Sequence, residues 1–277
     1  MTLTQLLERH GKVGLGGEGV LRTHGRNTEA RIVIEEAIAR GITYFDSAHV
    51  YADSELYYGY VWRERPEVRG RVFQTSKSAT RNRDGALADL ESTLERMGTD
   101  YLDLWQIHDV RTQEDLDRIS APGGALEAFV EAKSSGKVKY VGVTGHHDPN
   151  ILTQAVEMWP VDAVMMPVNP VEAVLGGFLT STLPAAKRKE IAVIGMKILG
   201  GSLYLDPLLN IPAEALLRFA LSFDVTVAIV GCSTRSEVSM LADVKNKMAP
   251  LSETEFSDIE DRFRPYLKQL AFYRGVL

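Results

Sequence analysis

Cysteine is almost missing from this chain of 277 residues. A lone thiol, Cys232, leaves no intrachain disulfide, no thiolate cage for zinc and no cysteine-held iron–sulfur cluster. A reducing compartment follows as the expectation. An excess of positive charge is also missing: Lys plus Arg number 31 against 37 for Asp plus Glu, a formal net charge of −6 at pH 7. Neutralising phosphates takes clustered Lys and Arg, so a nucleic-acid partner is not expected. No apolar run approaches the ~20 residues needed to cross a bilayer. The opening MTLTQLLERHGK shows no charged-then-apolar leader pattern. These absences point to a cytoplasmic protein with neither a membrane nor a nucleic-acid partner. No linker, composition shift or sequence repeat divides the chain, so a single domain over 1–277 is expected.

What is present is an alternation. VGLGG (13–17), TYFDSA (43–48), VFQTSKS (72–78), YLDLWQIH (101–108), YVGVTGH (140–146), VDAVMMPVN (161–169), AVIGMKIL (192–199) and TVAIVGCS (226–233) read as strands. They are short, rich in β-branched residues and apolar on both faces, as strands with helices on one side and packing on the other must be. Helical periodicity fills the intervals. The clearest case is 84–98, with Asp84 as cap and Leu87, Leu90, Leu94 and Met97 on one stripe. Asp148-Pro149, Pro212 and Thr234 to Glu237 carry start signals for later helices. The segment 109–122 reads as a loop. Ser252 and Glu255 open a last helix whose stripe of Phe256, Ile259, Phe263 and Leu267 should pack outside the strands. Eight strand–helix pairs fit an α/β fold of the (β/α)8 TIM-barrel type with an extra C-terminal helix better than an open doubly wound sheet.

Functional side chains of such a barrel sit at the C-terminal ends of its strands. Those positions hold Asp46, Lys77 and His108, with Tyr51 five residues beyond Asp46. Any one of them alone reads as a solvated charge or a structural hydrogen bonder. Together they suit delivery of a proton to a carbonyl oxygen. A buried Lys77 ammonium is expected to lower the phenol pKa of Tyr51 toward working pH, and Asp46 to keep that ammonium charged. A neutral His108 would orient the carbonyl. The set lacks an electron source and metal-ligand spacing, and a bound hydride donor is the natural supplement.

FDSAHVYADSE, VFQTSK, LDLWQIH and VGVTG resemble the aldo-keto reductases, and the resemblance runs from VGLGG through IVGCSTRSEV to PLSETEF. It implies a nicotinamide-dependent barrel with Asp46, Tyr51, Lys77 and His108 as the catalytic four and Tyr51 as general acid. The carboxamide clamp implied after the fifth strand falls on Thr144-Gly145, where Gly145 has no side chain. Met165 stands where the family commonly has Gln, Asn169 matches a later family Asn, and Met196 replaces a stacking aromatic. MKILGGS supplies Lys197, Leu199, Gly200 and Gly201 for the pyrophosphate, and GCSTRSE supplies Ser233, Arg235 and Glu237 for the adenosine end. Arg235 favours NADP(H). Glu237 fits NAD(H), or simply completes a helix cap. NADP(H) is the favoured reading and NAD(H) the alternative.

His49, Val50 and His146 are the candidate pocket residues, with 109–122, His147 and the tail aromatics Phe272 and Tyr273 as further mouth material. No metal is expected, since Asp148 is better explained as a helix cap than as a partner of the adjacent histidines. Cys232 reads as a small filler. The leading function is reduction of an aldehyde or ketone. The alternatives are a catalytically weak nicotinamide-binding regulatory or interaction subunit on the same barrel, and a lyase or isomerase using Lys77 as a Schiff base.

Overall fold

The eight apolar segments all become parallel strands: β1 Val13–Gly19, β2 Tyr44–Phe45, β3 Phe73–Ser78, β4 Leu102–Ile107, β5 Val138–Thr144, β6 Ala163–Pro167, β7 Ala192–Met196 and β8 Val227–Cys232. In the computed structural model, which describes residues 1–247 and 249–276, they close in chain order into a barrel. The seam pairs β1 with β8 through Val13↔Ala228 and Leu15↔Val230. β2 is shorter than its apolar pattern, although the Asp46 and Ser47 N–H groups still donate to the Leu15 and Thr75 carbonyls of the flanking strands.

Alternating side chains divide the apolar residues into two clusters. Tyr44, Phe73, Leu104, Met165, Ile194 and Ile229 fill the barrel interior. Trp105, Val143, Val164, Val193 and Val230 belong to the layer shared with the surrounding helices, where the Trp105 ring stacks on Phe129 at 3.6 Å. The helix Leu3–His10, in a segment whose sequence reads as a plain lead-in, inserts Leu3 and Leu7 into the interior cluster. Its His10 Nδ1 lies 3.0 Å from Thr43 Oγ1, so the helix plugs the end of the barrel where strands begin. The opposite end, where strands finish, stays open.

Several boundaries differ from the sequence expectation. The helix Arg83–Met97 is capped by Asn82, whose side chain accepts the Gly85 N–H, and not by Asp84. The segment 109–122 is not a plain loop. Thr112 caps a helix at Gln113–Ser120 that buries Leu116 and Ile119. The expected C-terminal helix does carry the Ser252–Glu255 capping box over Glu253–Phe263. It breaks at a 3-10 turn, Arg264–Tyr266, so Leu267 of the expected stripe opens a separate short helix, Leu267–Leu270. Burial of Ile259 and Phe263 contributes about 1.5–3 kcal/mol each.

The tail then crosses the open end. Tyr273 Oη donates to Glu172 Oε1 at 2.7 Å, and the Arg274 guanidinium pairs with the fully buried Glu172 carboxylate and stacks toward Phe178. Gly275 N donates to the His147 carbonyl at 3.0 Å.

Candidate active site

Lys77 is 1% exposed, and it holds its charge there by donating to three acceptors. Nζ reaches Asp46 Oδ1 at 2.7 Å, Asp46 Oδ2 at 2.6 Å and the Ser47 carbonyl at 2.7 Å. Asp46 Oδ1 also accepts from Thr75 Oγ1 at 2.8 Å. Burial pulls the Lys77 pKa down, opposed chiefly by Asp46. The pair is thus a rigid, internally neutralised floor built from the ends of β2 and β3.

Tyr51 lies on the turn after β2, fixed by its N–H to the Ala48 carbonyl at 2.9 Å. Its ring packs edge-on to His108 at 5.5 Å, and Lys77 Nζ is 5.0 Å from the ring centroid. A Cβ on Gly17 would stand 2.8 Å from Tyr51 Cδ2, so glycine at the end of β1 makes the ring's berth. The phenol pKa moves against the sequence expectation. Burial raises it first, and the charges of Asp46 and Glu18 raise it further. The correction has a physical reason: the ammonium expected to lower it is already matched by both Asp46 oxygens. Tyr51 is therefore held as a protonated phenol.

His108 follows β4 and is neutral. Burial, then the Lys77 charge, lowers its pKa to about 3. Nδ1 has no hydrogen-bond partner among the described residues, and the backbone on either side is fixed by Arg81, which donates to the His108 and Asp109 carbonyls. Asp46, Tyr51, Lys77 and His108 are thus brought together on adjoining strand ends. The arrangement offers a protonated hydroxyl and a neutral imidazole edge, which suits proton donation to an oxygen.

Beside them opens a cavity of about 580 Å³, within the range of roughly 300–1,000 Å³ typical of small-molecule sites. It runs from Glu18, Arg22, Asp46 and Tyr51 past Met165, Met196 and Lys197 to Ser233, Glu237 and Met240. Gly16, Gly17, Gly201 and Gly231 also line it. The β1 and β8 glycines have no space for a side chain: a Cβ on Gly16 would meet Gly231 N at 2.9 Å. Bare backbone along these walls lets a ligand approach the main chain closely.

Residues 12–207 match the family model described as Aldo/keto reductase family. The chain belongs to that family. Among curated relatives, "Aldo-keto reductase str7" of Strobilurus tenacellus is 26% identical over 195 residues, covering 68% of this chain and 56% of that protein. "Uncharacterized oxidoreductase YqkF" of Bacillus subtilis is 26% identical over 164 residues, covering 54% of this chain and 50% of that protein. The chain spans about half the length of these curated relatives. Among solved structures, aldo-keto reductase AKR11C1 from Bacillus halodurans in its holo form superposes with a TM-score of 0.73 at 20% identity, covering 91% of each chain. An aldo/keto reductase from Klebsiella pneumoniae, solved in complex with NADP and acetate, superposes at 0.72 and 20% identity, covering 92% of this chain and 91% of that one.

Within this aldo/keto reductase family member the other candidates are distributed unevenly. Met196, Lys197, Leu199, Gly201, Ser233 and Glu237 line the cavity. Thr144 is buried, and its hydroxyl accepts the Asp109 N–H at 2.8 Å. A side chain at Gly145 would strike the Val110 carbonyl at 2.9 Å, so no amide clamp can be built there. Asn169, read as a cofactor contact, lies away from the cavity wall. It caps the helix Pro170–Leu175 and bonds the Lys197 carbonyl and Tyr273 Oη. Gly200 packs on the Tyr204 ring, and Arg235 is an exposed first residue of its helix. Glu237 is not the partner of its own cap's N–H. Its carboxylate accepts the Ser233 N–H at 2.5 Å, while Thr234 Oγ1 accepts the Glu237 N–H at 3.3 Å.

The pocket histidines face elsewhere. His49 Nδ1 lies 3.5 Å from Glu55 Oε2, and Glu55, fully buried, accepts from Ser76 and Thr93 behind β3. Its pairing with Glu55 raises the His49 pKa. His146 Nδ1 lies 3.2 Å from the Tyr273 carbonyl, and burial lowers its pKa. Val50 is 52% exposed, outside the cavity wall. Phe272 of the tail does line the cavity. Burial pushes the Cys232 thiol up to about 12, which keeps it unreactive. Two charged lining residues, Glu18 and Arg22, are not among the sequence candidates. The rule that strand ends carry function would have found Glu18 had it been applied to β1.

Proposed function

We propose that this chain is a cytoplasmic nicotinamide-dependent oxidoreductase, one domain over 1–277, that interconverts an aldehyde or ketone with its alcohol. The observation that carries the reading is the Tyr51 phenol, held protonated on the cavity wall beside the neutral His108 and the closed Asp46–Lys77 pair. A bound nicotinamide would supply the hydride to the carbonyl carbon. Tyr51 Oη gives its proton to the carbonyl oxygen as negative charge develops there during hydride addition. In the oxidation direction the same oxygen accepts the proton. His108, uncharged, positions the oxygen without competing for its charge, and Lys77 with Asp46 fixes the floor beneath the ring.

For the dinucleotide, Met165 and Met196 would flank the nicotinamide as an apolar wall. Lys197 through Gly201 would take the phosphates, and Ser233 and Glu237 the adenosine end. NADP(H) is favoured by Arg235. The Glu237 carboxylate on the cavity wall is the observation that favours NAD(H), and fluorescence titration with each reduced dinucleotide decides between them.

A specific observation also favours the binding-subunit alternative: Gly145 and Asn169 leave no amide clamp in the cavity. Single-turnover kinetics separate the two. With NADPH saturating, a reactive aldehyde should oxidise it. Tyr51→Phe should slow that step by about 10²–10⁴-fold while dinucleotide affinity stays within about twofold. No oxidation by the saturated wild type, or near-normal kcat in Tyr51→Phe, overturns the reading.

A further inference from the structure

Arg22 is displayed on a rigid support at the reacting end of the cavity. It ends a short 3-10 turn, Val20–Arg22, that leaves β1 through Gly19 at φ 72°. A Cβ on Gly19 would stand 2.6 Å from the Cys232 carbonyl oxygen, so the turn is keyed against β8. Val20 and Leu21 are buried, and Thr23 Oγ1 closes the turn on the Val20 carbonyl at 2.6 Å.

From this support the guanidinium lies over the Tyr51 ring, Cζ 4.7 Å from its centroid. Among the residues lining the cavity, Arg22 and Lys197 are the cations, and Arg22 is the one set against the proton donor. Its hydrogen bond goes from Nη1 to Glu18 Oε1 at 2.7 Å. Both side chains are about half exposed, 47% and 50%. Such a solvated pair is worth about 0–1 kcal/mol, so exchanging or sharing its carboxylate costs little. Among the described residues Nε and Nη2 have no hydrogen-bond partner, which leaves them to form a planar fork, the geometry that matches a carboxylate. Glu18 alongside weighs against a dianion more than against a monoanion.

We propose that the substrate is a short oxo-carboxylate, its carboxylate held by Arg22 so that its carbonyl oxygen meets Tyr51. This deepens the carbonyl-reductase reading and rests on it. Glu18 acts as the placeholder that the substrate's carboxylate displaces.

Steady-state reduction of 4-oxobutanoate is compared with that of butanal, which has the same chain length and no charge. The wild type should favour 4-oxobutanoate at least tenfold in kcat/KM. Arg22→Met should lower that ratio tenfold or more, mainly through KM; Arg22→Lys should restore part of it, and Glu18→Gln should raise it. An unchanged ratio in Arg22→Met, with butanal still reduced, overturns the proposal.

Calorimetric binding of succinamate, a non-reducible monoanion with a carbonyl at the same chain position, to the intact protein gives a readout independent of turnover. Binding that weakens at least tenfold in Arg22→Met supports the assignment even if neither aldehyde is reduced, in which case the reaction is what fails. Binding absent in the wild type, or indifferent to Arg22, overturns it.

Discussion

Replacing Lys77 by Met removes the one group that compensates a carboxylate sealed in the barrel. The side chain is 1% exposed, and three short donations to Asp46 and Ser47 end with it. Thr75 Oγ1 would remain on Asp46 Oδ1, leaving Oδ2 and the Ser47 carbonyl without that donor. Stranding one partner of a buried ion pair costs about 3–5 kcal/mol. For a chain of this size that lowers Tm by on the order of 10 °C. Asp46→Asn in the same background removes the stranded charge yet keeps an oxygen for Thr75. The double variant should therefore regain about half of the loss, and the two single changes should be strongly non-additive. Urea denaturation of the four proteins at neutral pH closes the cycle. A Lys77→Met loss below about 1 kcal/mol, or additive single effects, would refute the claim that the pair is a closed electrostatic unit.

Gly17→Ala should displace the Tyr51 ring, because the new Cβ would lie 2.8 Å and 2.9 Å from two ring carbons and 3.1 Å from the Asp46 carbonyl oxygen. A misplacement approaching 1 Å costs up to about 100-fold in rate. We expect kcat to drop at least tenfold with an unaltered circular dichroism spectrum, and an unchanged kcat would show that the berth is loose. His108 makes stability depend on acid. Its folded pKa of about 3 lies below the unfolded value of about 6.5, so between them the unfolded chain binds more protons and stability falls as pH falls. Urea midpoints at pH 7 and pH 4 should therefore differ more in the wild type than in His108→Gln.

Strand count, strand order and the four strand-end groups were legible because each rests on a local pattern: a short apolar run followed by one polar residue. What was less legible was non-local or ambiguous. The Leu3–His10 plug has its apolar residues aimed into a barrel that only later strands create. Asn169, which the resemblance implies as a cofactor contact, also has a structural role that the resemblance does not supply. Its local signal, Asn before Pro170 with Glu172 at the third helical position, is an ordinary helix start. Asn82 displaced Asp84 as a cap because Gly85 brings its N–H back onto the earlier side chain. The phenol shift failed for a quantitative reason. The Lys77–Asp46 pairing is expected from sequence, but not that both carboxylate oxygens and the Ser47 carbonyl take the ammonium's donors while burial and Asp46 raise the phenol.

Barrel closure joins the first strand to the last, Val13 beside Ala228 and Leu15 beside Val230. On the ribosome this sets a strict order of events. Asp46 and Lys77 can meet while most of the chain is unmade, yet β1 keeps a bare edge until residues 227–232 have emerged. Unpaired strand edges are templates for association with other chains, and incompletely folded chains of this size are prone to it. A chain interrupted anywhere before Cys232 is therefore an open sheet with two adhesive margins, and not a smaller barrel. The tail contacts on Glu172 come later still, so the wall that Phe272 contributes to the cavity is the last part of the pocket to be translated.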